Sequence, residues 1–125
     1  MDGTIKGSIR IDLRKYRITL TRKTHLLIGE PDYILLLVNP EERTLVIAHS
    51  DAKERRAHGI KKSKCGEIEL NSKTLLKTLF RLSGNWKDDR SYKICGEVSE
   101  GENMIKFNID DAVLTTAEKD ESNAD

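Results

Sequence analysis

Six basic side chains occur within fourteen residues near the start of the chain, and Asp12 is the only acid among them. They are Arg10, Arg14, Lys15, Arg17, Arg22 and Lys23. Duplex DNA presents a dense line of phosphates, and lysines and arginines that neutralise several of them release counterions and gain affinity. The arginine fork can also read the edge of a guanine. This segment is therefore a candidate DNA-binding surface.

The charge of the chain is divided unevenly. Residues 1–64 carry 14 Lys and Arg against 8 Asp and Glu, whereas residues 65–125 carry 8 against 13, which gives +6 and −5. Such a division favours a polyanion at the basic half and a basic protein partner at the acidic half. The simpler alternative is a solvated surface, in which basic residues on edge strands suppress aggregation.

The side chains that enzymes use are present but are not grouped. His25, His49 and His58 share no HxxxH or HxH spacing, and Cys65 and Cys95 share no CxxC spacing. The eight glycines are scattered and form no phosphate-binding loop. Two acidic pairs are adjacent in sequence, which points their side chains apart: Asp88-Asp89 and Asp110-Asp111. We predict a non-enzymatic protein with no metal and no other cofactor.

Hydrophobic residues make up 37% of the chain and charged residues 34%, which is typical of a globular protein with a highly charged surface. The longest apolar run, Ile34 to Val38, is far shorter than the roughly 20 residues of a bilayer span. The first ten residues lack the apolar core of a secretory signal. We expect a cytoplasmic protein with no membrane partner.

An internal repeat organises the chain. Residues 18–26, ITLTRKTHL, align with residues 68–76, IELNSKTLL, with five of nine positions identical at an offset of fifty. Further along, Gly29 aligns with Gly84, Tyr33 aligns with Tyr92, and the apolar run at 45–47 aligns with 104–105. The sequence thus predicts two copies of one unit.

Each copy reads as two strands, a short helix ended by glycine, and a hairpin. Residues 8–14 alternate apolar and polar, as a half-buried strand does. Thr21 can cap the first helix and Asn71 or Ser72 the second, while Trp86 is expected to seal the second helix against the core. Neither half alone has enough apolar surface for a core. The predicted segments are a first copy at 1–51, a linker at 52–58, a second copy at 59–114 and a disordered acidic tail at 115–125.

This order of elements resembles the AbrB, SpoVT and MraZ family of swapped-hairpin DNA-binding proteins, and the tandem copies resemble the MraZ arrangement. The likeness rests on the segment 11–20, IDLRKYRITL, the helix from Thr21 to Gly29 and the strand from Asp32 to Val38. The chain departs from the family at Tyr16, where a glycine is usual, and at Thr21, where a proline is usual.

The resemblance implies a mainly β fold with short helices (α+β), in which tandem β-β-α-β-β units form a swapped-hairpin-like barrel. It implies DNA contacts from Arg10, Arg14, Arg17 and Arg22, with Lys15 and Lys23 beside them. Lys61, Lys62 and Lys64 extend the basic surface, but Glu67 and Glu69 adjoin them. We therefore predict a DNA-binding transcriptional regulator that forms a homo-oligomer. The alternative is a non-enzymatic interaction module, antitoxin-like or partner-docking, that uses the acidic half.

Overall fold

The computed structural model describes residues 6–99 and 103–115. Strands are the commonest element in these ranges, and most of them are short runs of alternating apolar and polar residues. The strands are β1 (Lys6–Asp12), β2 (Arg17–Leu20), β3 (Tyr33–Asn39), β4 (Thr44–Ser50), β5 (His58–Gly59), β6 (Lys61–Lys62), β7 (Ile68–Asn71), β8 (Ser91–Ser99), β9 (Met104–Asn108) and β10 (Val113–Leu114). The helices are α1 (Arg22–Leu27), α2 (Lys73–Ser83) and a short 3-10 helix (Ile109–Asp111).

The strands form one antiparallel sheet in the order β5-β3-β4-β9-β8-β1-β2-β7-β6, and β10 pairs with β8. The two ends of this order, β5 and β6, are separated along the chain by Ile60 alone. Because β5 pairs with β3 and β6 pairs with β7, the sheet curls into a nearly closed barrel. The expected mainly β class with short helices is confirmed.

Hairpins from the two halves of the chain alternate around the barrel. The β1–β2 hairpin lies between β8 and β7, with Ile11 opposite Tyr92 and Ile18 opposite Leu70. The β8–β9 hairpin in turn lies between β1 and β4. Three strands of the first half, β1, β2 and β4, therefore each pair with a strand of the second half.

Both main helices begin at the predicted hydroxyl caps. Thr21 Oγ1 accepts a hydrogen bond from Thr24 N at 3.2 Å, and Ser72 Oγ accepts one from Leu75 N at 3.3 Å. The caps are thus 51 positions apart, while the buried residues of β2 and β7 match at an offset of fifty. One extra residue, Asn71, precedes the second helix, so the identical Lys-Thr pairs in the two helices do not occupy equivalent positions.

Left-handed backbone recurs at matched positions in the two halves. Tyr16 has φ 51° and Gly66, fifty positions later, has φ 89°. Arg43 and Asn103, sixty positions apart, have φ 57° and 52°. A side chain at such a φ is unfavourable, because Cβ crowds the carbonyl oxygen. Each of the turns that precede β2, β7, β4 and β9 thus contains one left-handed residue.

The inward-facing isoleucines and leucines of the strands fill the barrel together with Leu76 and Leu79 of α2. Trp86 is also buried, and its ring stacks on Tyr92 with centroids 4.9 Å apart. The predicted core role of Trp86 is confirmed. His25 is buried too, and its Nε2 lies 2.8 Å from the Pro31 carbonyl oxygen, so this histidine fastens α1 to the loop that follows it.

Arg43 links the β3–β4 turn to the second half of the chain. Its guanidinium donates hydrogen bonds to both carboxylate oxygens of Asp110, at 2.7 Å and 3.1 Å, and to the carbonyls of Leu82 and Ser83 at the end of α2. The hydrogen bonds to Asp110 raise the pKa of Arg43 and lower the pKa of the Asp110 carboxyl. Nothing in the sequence pattern marked this arginine.

Two predicted boundaries shift. His58, assigned to the linker, is the first residue of β5. Thr115 was expected to begin the disordered tail, but its backbone N and its Oγ1 both donate to the Ser91 carbonyl. The rest of that predicted tail, 116–125, lies outside the described residues. Among the described helices, none is long and apolar enough to span a bilayer.

Candidate nucleic-acid interface

The first turn of the chain presents Arg14 and Lys15 to solvent, and Asp12 shapes that turn. Asp12 Oδ1 accepts hydrogen bonds from the backbone N of Arg14 at 3.0 Å and from that of Lys15 at 3.3 Å. The Arg14 Nε lies 3.9 Å from the same oxygen. The one acid of the basic segment is therefore buried beneath the turn, where it holds the two cations in place.

Arg17 is less available than its neighbours. Its side chain is 31% exposed, and a guanidinium nitrogen lies 4.0 Å from a Glu69 carboxylate oxygen. Its Nε is buried without a hydrogen-bond partner among the described residues. Arg17 is therefore paired with the acid of the neighbouring strand β7, which leaves it less free to bind a phosphate than its neighbours.

Arg10 lies on the outer face of β1, with Thr19 of β2 on one side and Lys93 of β8 on the other. The same register row continues through Glu69 to Lys61. Arg10 and Lys93 are both exposed, and within the described residues neither has a carboxylate in ion-pair contact. Like charges directly opposite one another destabilise a sheet, so this pair favours an anion from outside.

Arg22 and Lys23 open α1 at the far end of β2 from the first turn. There they adjoin the turn between β6 and β7, which we call the second turn, because Leu20 of β2 pairs with Ile68 of β7. The Cδ of Arg22 is 3.3 Å from where a Cβ would stand on Gly66. The exposed Lys64 belongs to that second turn.

At the other end of the β2–β7 strand pair, the first turn contacts the start of α2. The backbone N of Ser72, which caps α2, donates to the Tyr16 carbonyl at 3.2 Å. The Nζ of Lys73 lies 5.5 Å from the centroid of the Tyr16 ring. Each turn of one half thus adjoins the start of the main helix of the other half.

The six predicted residues therefore do not form one continuous surface, because four of them lie at two separate ends of the β2–β7 strand pair. We define two basic clusters. The first basic cluster is Arg14, Lys15 and Lys73, and the second basic cluster is Arg22, Lys23 and Lys64. Since β2 spans three residue steps of about 3.4 Å, the clusters flank a strand pair about 10 Å long, with Arg10 beside it. Arg17 lies between them but is paired with Glu69.

Sequence reasoning missed Lys73 and Lys93. The alignment of Lys23 with Lys73 was a usable signal for the first, because it placed a lysine at the start of each helix. No signal existed for Lys93, since its place beside Arg10 depends on the pairing of β1 with β8.

Within the described ranges, no three His, Cys, Asp or Glu side chains are placed to hold a metal ion. Cys65 and Cys95 are both exposed and free. No protein-family model, no curated protein and no solved structure matches the chain significantly. The AbrB-like resemblance therefore stays a prediction.

Proposed function

We propose that this chain binds duplex DNA through its two basic clusters and acts as a transcriptional regulator. The observation that carries the proposal is the pairing of each turn with the helix start of the other half, which puts three exposed cations at each end of the β2–β7 strand pair. Two such clusters can neutralise phosphates at separate points along a duplex. Arg10 and Lys93 add a like-charged pair on the same face.

We further propose that the barrel consists of two β-β-α-β-β copies with interlocked hairpins, as in the AbrB-type family. The alternating hairpins and the matched left-handed residues support this arrangement. At Tyr16, where that family usually has glycine, the backbone keeps the left-handed φ that glycine favours.

A protein of this kind gains affinity when it repeats a weak contact, so we propose that it binds DNA as a homo-oligomer. The molar mass in solution, with and without duplex, measures this directly.

The test compares matched charge-neutralising variants by fluorescence polarisation with a labelled random duplex at low salt. Arg14→Gln/Lys15→Gln/Lys73→Gln changes the first cluster, and Arg22→Gln/Lys23→Gln/Lys64→Gln changes the second. The control is Lys53→Gln/Arg55→Gln/Arg56→Gln, which removes the same charge from the exposed segment between β4 and β5.

Each cluster variant should weaken binding by about tenfold or more, and the control should bind like the parent. If the control lost DNA binding while both cluster variants still bound DNA like the parent, the DNA surface would instead be the 53–56 segment. Absence of binding by the parent would reject DNA in favour of a protein partner.

A further inference from the structure

A cavity of about 380 Å³ opens between α2 and the first turn of the chain. Its floor is formed by Leu13 and Leu76, which belong to the buried core and are fixed in place by it. Tyr16 and Phe80 add two aromatic side chains to its lining. The volume falls at the small end of the range of about 300–1,000 Å³ that is usual for ligand sites. The cavity therefore suits one compact molecule.

The apolar part of this cavity is unusual for a surface position. Phe80 is 38% exposed although it stands on the helix that covers the core. Tyr16 keeps its ring there at a left-handed φ that disfavours any side chain. Two aromatic side chains that line one open hollow favour an aromatic or similarly flat ligand.

The charges around the cavity are mainly positive. Lys77 and Arg81 are one helical turn apart on α2, and both line the cavity. Like charges at this spacing destabilise a helix, and neither has a carboxylate in ion-pair contact within the described part of the chain. Asp88 is the single acid of the lining. Arg81 offers the planar fork that matches a carboxylate.

We propose that this cavity binds a compact aromatic carboxylate. The ring of the ligand packs on Leu13 against Tyr16 and Phe80, and its carboxylate accepts hydrogen bonds from Arg81 and Lys77. The site does not depend on the proposed DNA function, because none of these five residues belongs to either basic cluster.

The test measures binding of three naphthalene probes to the full chain by calorimetry. The probes share the naphthalene ring system, and their substituents are negative, neutral and positive: 1-naphthoate, 1-naphthalenemethanol and 1-naphthylmethylammonium. We expect 1-naphthoate to bind one molecule per chain with a Kd at or below about 1 mM, as its size allows. The alcohol should bind at least tenfold more weakly, and the ammonium should show no saturable binding.

Variants then locate the site. Lys77→Gln/Arg81→Gln should weaken 1-naphthoate at least tenfold while leaving the alcohol unchanged, and Phe80→Ala should weaken both. The matched control Lys53→Gln/Arg55→Gln should change neither. Should Phe80→Ala fail to fold, the Lys77 and Arg81 variant still decides. Absence of saturable naphthoate binding, equal binding of the ammonium probe, or naphthoate binding that survives Lys77→Gln/Arg81→Gln would each overturn the proposal.

Discussion

At the scale of single residues, the basic segment is shaped by its one acid. In the sequence, Asp12 is the one acid among the six cations. In the structure its carboxylate is buried under the first turn, where it accepts the backbone N–H groups of Arg14 and Lys15. A short acidic side chain that accepts bonds from the following backbone is a common way to fold a turn. Asp12 thus orients the two cations.

Asp12→Ala should therefore lower the free energy of unfolding by about 1–3 kcal/mol, because two partly buried hydrogen bonds are lost at about 0.5–1.5 kcal/mol each. Asp12→Asn keeps an oxygen at the same place and should recover most of that loss. Urea denaturation of the three proteins measures the difference. Equal destabilisation by alanine and asparagine would show that the charge of Asp12, and not its acceptor oxygen, is what matters.

Arg43 and Asp110 supply a second test at this scale, through pH. Hydrogen bonds from Arg43 lower the pKa of the Asp110 carboxyl below its ordinary value. A depressed folded pKa gives stability that is present above the unfolded pKa and is lost as pH falls through the folded one. The advantage of the parent over Arg43→Met should therefore shrink below about pH 4.

The melting temperatures of the parent and of Arg43→Met, measured between pH 2.5 and pH 7, check this expectation. That pH range includes the usual pKa of an Asp side chain. A gap between the two proteins that stays constant over the whole range would mean that the carbonyls of Leu82 and Ser83, and not Asp110, are the partners that matter.

At the scale of elements, sequence patterns located most of the strands and both main helices. The hydroxyl caps, the glycine stops and the apolar alternation are local signals, and α2 and the β3–β4 hairpin followed them closely. The short 3-10 helix and β10 were not predicted, because they carry no periodicity of their own. No local signal indicated that β5 and β6, which Ile60 separates, pair with different strands, β3 and β7.

Gly96 tests the close approach of β8 and β9. A Cβ on Gly96 would lie 2.5 Å from the Lys106 carbonyl oxygen and 2.6 Å from the Phe107 ring. Gly96→Ala should therefore destabilise the fold by about 1–3 kcal/mol, as overpacking does. Gly59→Ala is the matched control, because a Cβ there would meet only the Tyr33 ring at 3.6 Å. Thermal unfolding that affects the two variants equally would contradict this packing.

At the scale of the whole molecule, the six predicted residues could not be placed from the sequence. Their neighbours are set by pairing between distant segments, as when Ser72 meets Tyr16 or Arg22 lies against Gly66. The repeat was visible as an identity pattern, but the pairing of turns with helix starts was not. Charge counts therefore identified the basic half of the chain but could not predict how its cations are arranged in space.

Because the hairpins of the two halves alternate, the chain should fold as one cooperative unit. Residues 1–57 expressed alone leave β1 without β8 and β2 without β7. We expect that fragment to be unfolded or self-associated, as circular dichroism and sedimentation can show. A well-folded monomeric fragment would contradict the alternating arrangement.

The most direct test of the central proposal is the salt dependence of duplex binding by the parent protein. If the six cations of the two basic clusters neutralise phosphates, log K should fall linearly with log salt with a slope of about −5. Random duplex should bind at low salt, and neutralising one cluster should reduce the slope by about half. Absence of binding at low salt, or a slope near zero, would contradict the assignment of these clusters to DNA.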